Sequence, residues 1–179
     1  MSLHLQFRLA TPADAPSIRE LVEYAFRAED TRENWTADME LGRNFRVRLE
    51  DVLATITHPD KAIIIAPSDN ETKDLVASIE ISKREADTAR LAMIAVNGAY
   101  QQSGVGRQVV EYAEKYCHET WGSTKAGLNA VSTRRELIAW YERRGYRKTG
   151  EVSPFPREAF PHLVLAEDLC FVEMEKTLG

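Results

Sequence analysis

The sequence is short of the residues that several common chemistries require. It has two cysteines, Cys117 and Cys170, far apart and each in an apolar setting. They read as core thiols rather than a metal pair, and nothing demands an oxidising compartment. Its four histidines show no ligand spacing, so no metal is expected. No apolar run approaches the ~20 residues needed to cross a membrane, and residues 1–8 lack the apolar core of a signal peptide. A cytoplasmic protein with no membrane partner is expected. Lysine and arginine form no run beyond short pairs, and the net charge is −5, which argues against nucleic acid as a partner. Repeats, low-complexity tracts and linkers are also missing. The 179 residues, 44% of them hydrophobic, are therefore expected to form one domain, 1–179, with a substantial core.

What is present is organised around Arg90 to Arg107. Leu91 to Val96 is apolar throughout, without helical spacing, which suggests a short strand buried on both faces. Asn97-Gly98 is a turn pair. Gly104 and Gly106 then open a segment where Val105, Val109, Tyr112, Ala113 and Tyr116 recur at helical spacing. The unit is strand, loop, glycine turn, helix. The first N–H groups of a helix have no partner within it, and the helix dipole adds partial positive charge there. Glycines let a bulky anion approach the backbone, so a phosphate group is the expected ligand. The pattern Gln101-x-x-Gly104-x-Gly106 is not a Walker loop, since no Gly-Lys-Ser/Thr follows. Nor is it the dinucleotide fingerprint, since it continues to Val109 where a third glycine or alanine is wanted. Taken alone it also fits an ordinary glycine-containing loop before a helix.

Leu3, Leu5 and Phe7 alternate with polar residues, predicting a half-buried strand. Thr11, Pro12, Asp14 and Pro16 suit a helix start, and Ile18, Leu21, Val22 and Ala25 then mark one face. Glu20, Glu23, Glu29, Asp30, Glu33 and Asp38 crowd the next stretch, as a solvated face or as an acidic mouth for a cationic substrate. Residues 31–43, around Trp35, fit helix, loop or lid. Phe45, Val47, Leu49, Val52, Leu53 and Ile56 predict a second helix stopped near His58-Pro59. Strands are expected at 61–66, 75–81, 126–131, 146–152 and 169–175. A helix should end near Trp121-Gly122. Another should span 134–144, opened by a capping box from Thr133 to Glu136 and stopped by Gly145. Residues 153–168 read as loop. The order β α α β β β α β α β β predicts an α/β protein with a mixed, partly antiparallel central sheet flanked by helices.

Two stretches resemble motifs of the GCN5-related N-acetyltransferase (GNAT) family. Leu91–Val96 followed by Gln101-x-x-Gly104-x-Gly106 is similar to its acetyl-CoA motif. Trp140-Tyr-Glu-Arg-Arg-Gly-Tyr146 is similar to its later aromatic-Tyr-Glu-x-x-Gly-aromatic motif. The element order also matches from residue 3 to 176. The resemblance implies the GNAT (acyl-CoA N-acyltransferase) fold and an acetyl-CoA-dependent N-acetyltransferase. Acetyl-CoA is then a co-substrate, no metal takes part, and the acceptor is a primary amine of a small molecule or peptide that attacks directly in a ternary complex. Under this resemblance the backbone of Ile94, Ala95 and Val96 binds the pantetheine arm like an added strand. Gln101, Gln102, Ser103, Gly104, Val105, Gly106 and Arg107 cradle the pyrophosphate, Tyr141 lies near the thioester sulfur, and Tyr146 is core. Two positions depart from the pattern. Arg134 replaces an asparagine that in many members contacts pantetheine, and it either reaches phosphate or substrate or is solvated. Arg90 replaces a glutamate that serves as base. These departures leave open an alternative, a CoA-binding sensor or interaction module without transfer. Monomer and homodimer both fit.

The chemistry sets three tasks. The amine must lose a proton, because an alkylammonium has a pKa near ~10.4. The carbonyl oxygen needs a donor, which a strand N–H can supply. The departing thiolate benefits from a proton donor such as Tyr141. Glu80, on a strand beside the opening one, is the candidate base, with an outward-facing surface carboxylate as its other reading. His58, Glu151 and a water relay are the alternatives.

Overall fold

The computed structural model describes residues 4–27, 46–69, 74–101 and 103–179. The expectations for residues 31–43, for Glu29, Asp30, Glu33, Asp38 and Phe45, and for Gln102 lie outside the described residues.

The elements run β1 (Arg8–Leu9), α1 (Ala15–Arg27), α2 (Leu49–Thr57), β2 (Lys61–Pro67), β3 (Leu75–Lys83), β4 (Thr88–Val96), α3 (Val105–Trp121), β5 (Lys125–Val131), α4 (Arg135–Arg143), β6 (Arg147–Pro154) and β7 (Cys170–Thr177). Among the described residues, type and order match the expected sequence of elements. The strands form one seven-stranded sheet in the order β1-β2-β3-β4-β5-β7-β6. β4 and β5 are parallel, and every other adjacent pair is antiparallel. Period-2 patterning divides the buried side chains between two cores. Ile63, Ile65, Leu75 and Ala95 face α1 and α2 through Ile18, Leu21, Val22 and Val52. Ile64, Ile79, Leu91, Leu128 and Met174 face the other way, towards Val109, Val110 and Ala113 of α3 and Ile138 and Tyr141 of α4.

The first strand is shorter than its alternation predicts. Only Arg8 and Leu9 join the ladder, opposite Ile65 and Ile64. Leu5 and Phe7 still pack against the α3 core, Phe7 stacking on Tyr112 with centroids 4.5 Å apart. Their alternation records packing without strand pairing.

The start of α1 behaves as expected. Asp14 accepts from the backbone N–H of Thr11 at 2.8 Å and from both terminal nitrogens of Arg8 at 2.8 and 2.9 Å. The bond from Arg8 and those from Thr11 outweigh the cost of burial and hold its carboxyl down at about 2. A depressed carboxyl contributes stability that is present above its unfolded pKa, near 3.8, and is lost as pH falls through about 2. Arg8 is half exposed, so solvent screens most of the ion pair and the cap supplies the larger share. Asp14→Ala should cost about 1 kcal/mol, seen as a melting temperature about 2–4 °C lower at pH 7. The difference should shrink towards zero in melts near pH 2.

Candidate active site

The sheet forks at its middle. β4 and β5 pair at Thr88–Lys125, Ala89–Ala126 and Arg90–Gly127 and no further, while β4 stays paired with β3 as far as Val96. The β5-facing edge of Leu91–Val96 therefore lacks a strand partner for its backbone N–H and C=O groups. Such groups require water or a ligand in compensation. The register between β3 and β4 also slips here, from Ser78–Ala95 to Glu80–Ala92. Met93 sits in the resulting bulge at φ 51°, a left-handed conformation that costs a side chain of this length on the order of 1–3 kcal/mol. Leu91 and Ala95 are buried on opposite faces, as expected, but the burial does not extend along the whole strand. Ala92 and Ile94 are half-buried and Met93 is exposed, because β5 has moved away from them.

Arg90 stands at the last paired position before the fork. Its partner Gly127 has no side chain, so the arginine reaches across β5 to β7, where its Nη1 donates to Glu173 Oε2 at 2.8 Å. Asn129 Nδ2 donates to Glu173 Oε1 at 3.2 Å, and Ser153 Oγ donates to the same oxygen. Burial alone would raise the Glu173 carboxyl. The hydrogen bonds from Arg90, Ser153 and Asn129 outweigh it and hold the group below the usual carboxylate range. Arg90 thus bolts β4 to β7. Sequence reasoning missed Glu173, although an arginine inside an apolar strand is itself a signal that a buried acid must exist somewhere to pair it.

Glu80 lies on the α1–α2 face, opposite Ile63 and Ala92. Burial pushes its carboxyl above the usual range, partly opposed by Lys61 and Arg84. It lines a cavity of about 70 Å³ with Ser78, Met93, Ile63, and Asp51 and Thr55 of α2. The other acids and bases considered are engaged elsewhere or far from the fork in the sheet order. His58 caps α2, and its Nδ1 accepts from the Asp60 N–H at 2.9 Å. Glu151 is exposed on β6, the edge strand. Of the acidic stretch, Glu20 is exposed. Glu23 accepts from the Val47 N–H at 2.9 Å and pairs with Arg27 at 3.2 Å.

Beyond Val96 the chain turns on Asn97. Its Oδ1 accepts from the Ala99 N–H at 3.0 Å, and its Nδ2 donates to the Leu75 carbonyl at 3.1 Å. Ser103 Oγ donates to the Tyr100 carbonyl, which braces the loop after Gln101. Gly104 caps α3 in the left-handed conformation, φ 76°. The first helical bond runs from the Gln108 N–H to the Gly104 carbonyl at 3.2 Å. The N–H groups of Val105, Gly106 and Arg107 accordingly precede any intrahelical acceptor. The two glycines have different surroundings. A Cβ at Gly104 would project into open space, whereas one at Gly106 would meet the Trp140 ring at 3.6 Å. A contact of that length is ordinary, so α4 packs closely over Gly106 without requiring glycine there. Arg107 pairs with Glu111 at 3.1 Å on the exposed side of α3.

Trp140, Tyr141 and Tyr146 form an edge-to-face series, with centroids 5.4 and 6.0 Å apart. Tyr141 is 6% exposed, and burial pushes its phenol up to about 12, opposed by the charge of Arg134. It belongs to the α3–α4 core, so Tyr141 and Glu80 stand on opposite faces of the forked sheet. The capping box expected at Thr133 is not formed. α4 begins one residue later, with Arg134 at its N-cap position and no side-chain capping bond to the helix. The Thr133 hydroxyl is buried without a partner. The Arg134 N–H is already bonded to the Val131 carbonyl at 2.9 Å, a tight turn that takes Thr133 out of the capping position.

Among the described residues no helix is long and apolar enough to cross a membrane, and no three His, Cys, Asp or Glu side chains converge as metal ligands.

Residues 18–146 match the family model described as the acetyltransferase (GNAT) family. No curated protein sequence matches the chain. Solved structures with the same fold include the ribosomal-protein-S18-alanine N-acetyltransferase of Escherichia coli, at 16% identity and TM-score 0.69, covering 98% of this chain and 95% of that one. A GNAT-family acetyltransferase of Staphylococcus aureus is similar at 13% identity and TM-score 0.64, covering 98% and 100%. The spermidine/spermine N-acetyltransferase of Vibrio cholerae is similar at 14% identity and TM-score 0.64, covering 97% and 92%.

Proposed function

The chain belongs to the acetyltransferase (GNAT) family, and from that premise we propose that it transfers an acetyl group from acetyl-CoA to a primary amine of a small molecule or peptide. The observation that carries the reading is the fork, an unpaired strand edge from Leu91 to Val96 that leads to the N-terminus of a 17-residue helix, where Gly104 provides no side-chain cap. An extended amide-bearing arm complements the edge, and a pyrophosphate complements the helix start. Ile94, Ala95 and Val96 would hold the arm. Gln101, Ser103, Gly104, Val105, Gly106 and Arg107 would hold the phosphates, and Gln102 and Arg134 are proposed to assist. The amine acceptor is consistent with two of the relatives named above, one acting on a protein alanine and the other on spermidine and spermine.

Acetyl-CoA, when bound, supplies an acetyl thioester: the acceptor nitrogen bonds to the acetyl carbon, the carbon–sulfur bond breaks, and coenzyme A leaves as the thiol. The ammonium gives up two protons in all, one of which ends on the sulfur. Glu80 accepts protons from the amine on the α1–α2 face, its raised pKa making it a stronger base than an exposed carboxylate. A backbone N–H of the open β4 edge donates to the carbonyl oxygen as it gains charge. Tyr141 donates a hydrogen bond to the departing sulfur from the α4 side. A phenol near 12 gives up its proton uphill to a thiolate of ordinary pKa ~8.5, so it steadies the anion while solvent completes protonation.

The test is release of free thiol when acetyl-CoA is mixed with a panel of alkylamines, amino acids, aminoglycosides and peptides. Tight acetyl-CoA binding with no release above background hydrolysis would overturn the transferase in favour of the CoA-binding module. The loop carries its own prediction. Gly104→Ala forces a side chain into φ 76° and points a methyl group into the open space before α3. Stability should fall by about 1–2 kcal/mol, and the dissociation constant for CoA, measured by calorimetry, should rise by about tenfold.

A further inference from the structure

Ser78 carries an unexplained cost. It is 1% exposed, and its hydroxyl has no hydrogen-bond partner. A buried orphan hydroxyl is unfavourable, and such groups persist where something outside the fold satisfies them. Ser78 lines the cavity of about 70 Å³ that also holds Glu80. The two residues are next neighbours on one face of β3, and they bracket the bulge, Ser78 opposite Ala95 and Glu80 opposite Ala92 with Met93 between. Anything approaching the fork from the α1–α2 face passes Met93 with a hydroxyl on one side and a carboxylate on the other. The remaining walls are mostly aliphatic, from Ile18, Val22, Val52 and Ile63, with Asp51 and Thr55 of α2 as the polar exceptions.

Resting on the acetyltransfer reading above, we infer that this cavity is the seat of the reacting amine, and that Ser78 and Glu80 together select an unbranched primary alkylamine. The nitrogen lies at the bulge. Ser78 Oγ accepts one N–H hydrogen bond and fixes the lone pair, while Glu80 takes the proton. A space of about 70 Å³ holds a few heavy atoms, so a straight methylene arm fits between the aliphatic walls. A carbon branch next to the nitrogen meets Val52 and Ile63. The acceptor class is therefore an aminoalkyl group, the kind that ends a lysine-like side chain or a linear diamine, and not an amine on a branched carbon such as an α-amino group.

The experiment compares n-butylamine with sec-butylamine, which have the same atoms and differ in branching, in the thiol-release assay with wild type and Ser78→Ala. Wild type should favour the straight amine at least tenfold in kcat/KM. Ser78→Ala should raise the KM for n-butylamine about tenfold and leave the KM for acetyl-CoA unchanged. Its melting temperature should be unchanged or higher, since an unsatisfied hydroxyl has been removed, so weaker amine binding would not reflect unfolding. Equal use of the two amines, or an unchanged amine KM in Ser78→Ala, overturns the pocket while leaving acetyl transfer intact. Absence of thiol release with these and every other amine of the panel overturns acetyl transfer itself, and the pocket assignment with it.

Discussion

Replacing Glu80 by glutamine should lower kcat roughly 10²- to 10⁴-fold, the range for loss of a positioned general base, with little change in acetyl-CoA affinity. The pH profile discriminates further. Burial raises the Glu80 carboxyl above the usual range, so wild-type kcat should climb as pH rises through that elevated value, and the climb should vanish in Glu80→Gln. Misfolding is not expected to explain the loss. An acid whose folded pKa is raised contributes stability below its unfolded pKa, and that contribution is lost as pH rises through the folded one. Above that range the ionised, desolvated Glu80 is a burden on the fold that neutral glutamine relieves. Glu80→Gln should therefore melt no lower than wild type. A variant that melts normally, retains its rate and keeps the acid limb would remove Glu80 from the mechanism and return attention to a water relay.

Tyr141→Phe should lower kcat about 10²-fold, the usual cost of losing one donor at a site of developing charge, and leave the affinity for acetyl-CoA within twofold of wild type as judged by calorimetry. Phenylalanine keeps the contacts with Trp140 and Tyr146, so the fold is spared. Because the phenol titrates only at about 12, Tyr141 contributes no basic limb over the working range. Any decline of wild-type activity between pH 8 and 10 must therefore persist in the variant. An unchanged kcat would remove the hydroxyl from the reaction and leave Tyr141 as a core residue.

The two residues differ in how much of their setting the sequence showed. Tyr141 sits within Trp140–Tyr146, a local motif whose helix spacing could be read directly. The element order and the glycine cap at Gly104 were legible for the same reason, since strand and helix periods and turn residues act over a few positions. The cavity around Glu80 is assembled from β2, β3, β4, α1 and α2, and no short window of sequence contains it. The fork was hidden as well. Leu91–Val96 reads as a doubly buried strand because its residues are apolar, but strand pairing is set by what lies alongside, and β5 leaves after Gly127. The capping box expected at Thr133 fails for the same reason, a backbone turn from Val131 that outcompetes a local pattern. Glu173 is the clearest case. Its partners Arg90, Asn129 and Ser153 come from three other strands, and only the sheet order brings them together.

The open edge of β4 also bears on how the protein avoids sticking to itself. A sheet interrupted at its centre has inner edges as well as outer ones, and a row of unpaired backbone groups flanked by leucine, isoleucine and valine is a template for intermolecular strand addition. Charges along this edge would blunt the hazard, but they would also obstruct a ligand that needs the same groups. The left-handed φ of Met93 offers another defence. It bends the edge halfway along its six residues, so a straight foreign strand cannot stay in register along it, whereas the flexible pantetheine arm proposed above would follow the kink. On this view the strained methionine admits a thin, pliable guest to the groove and turns away another copy of the chain.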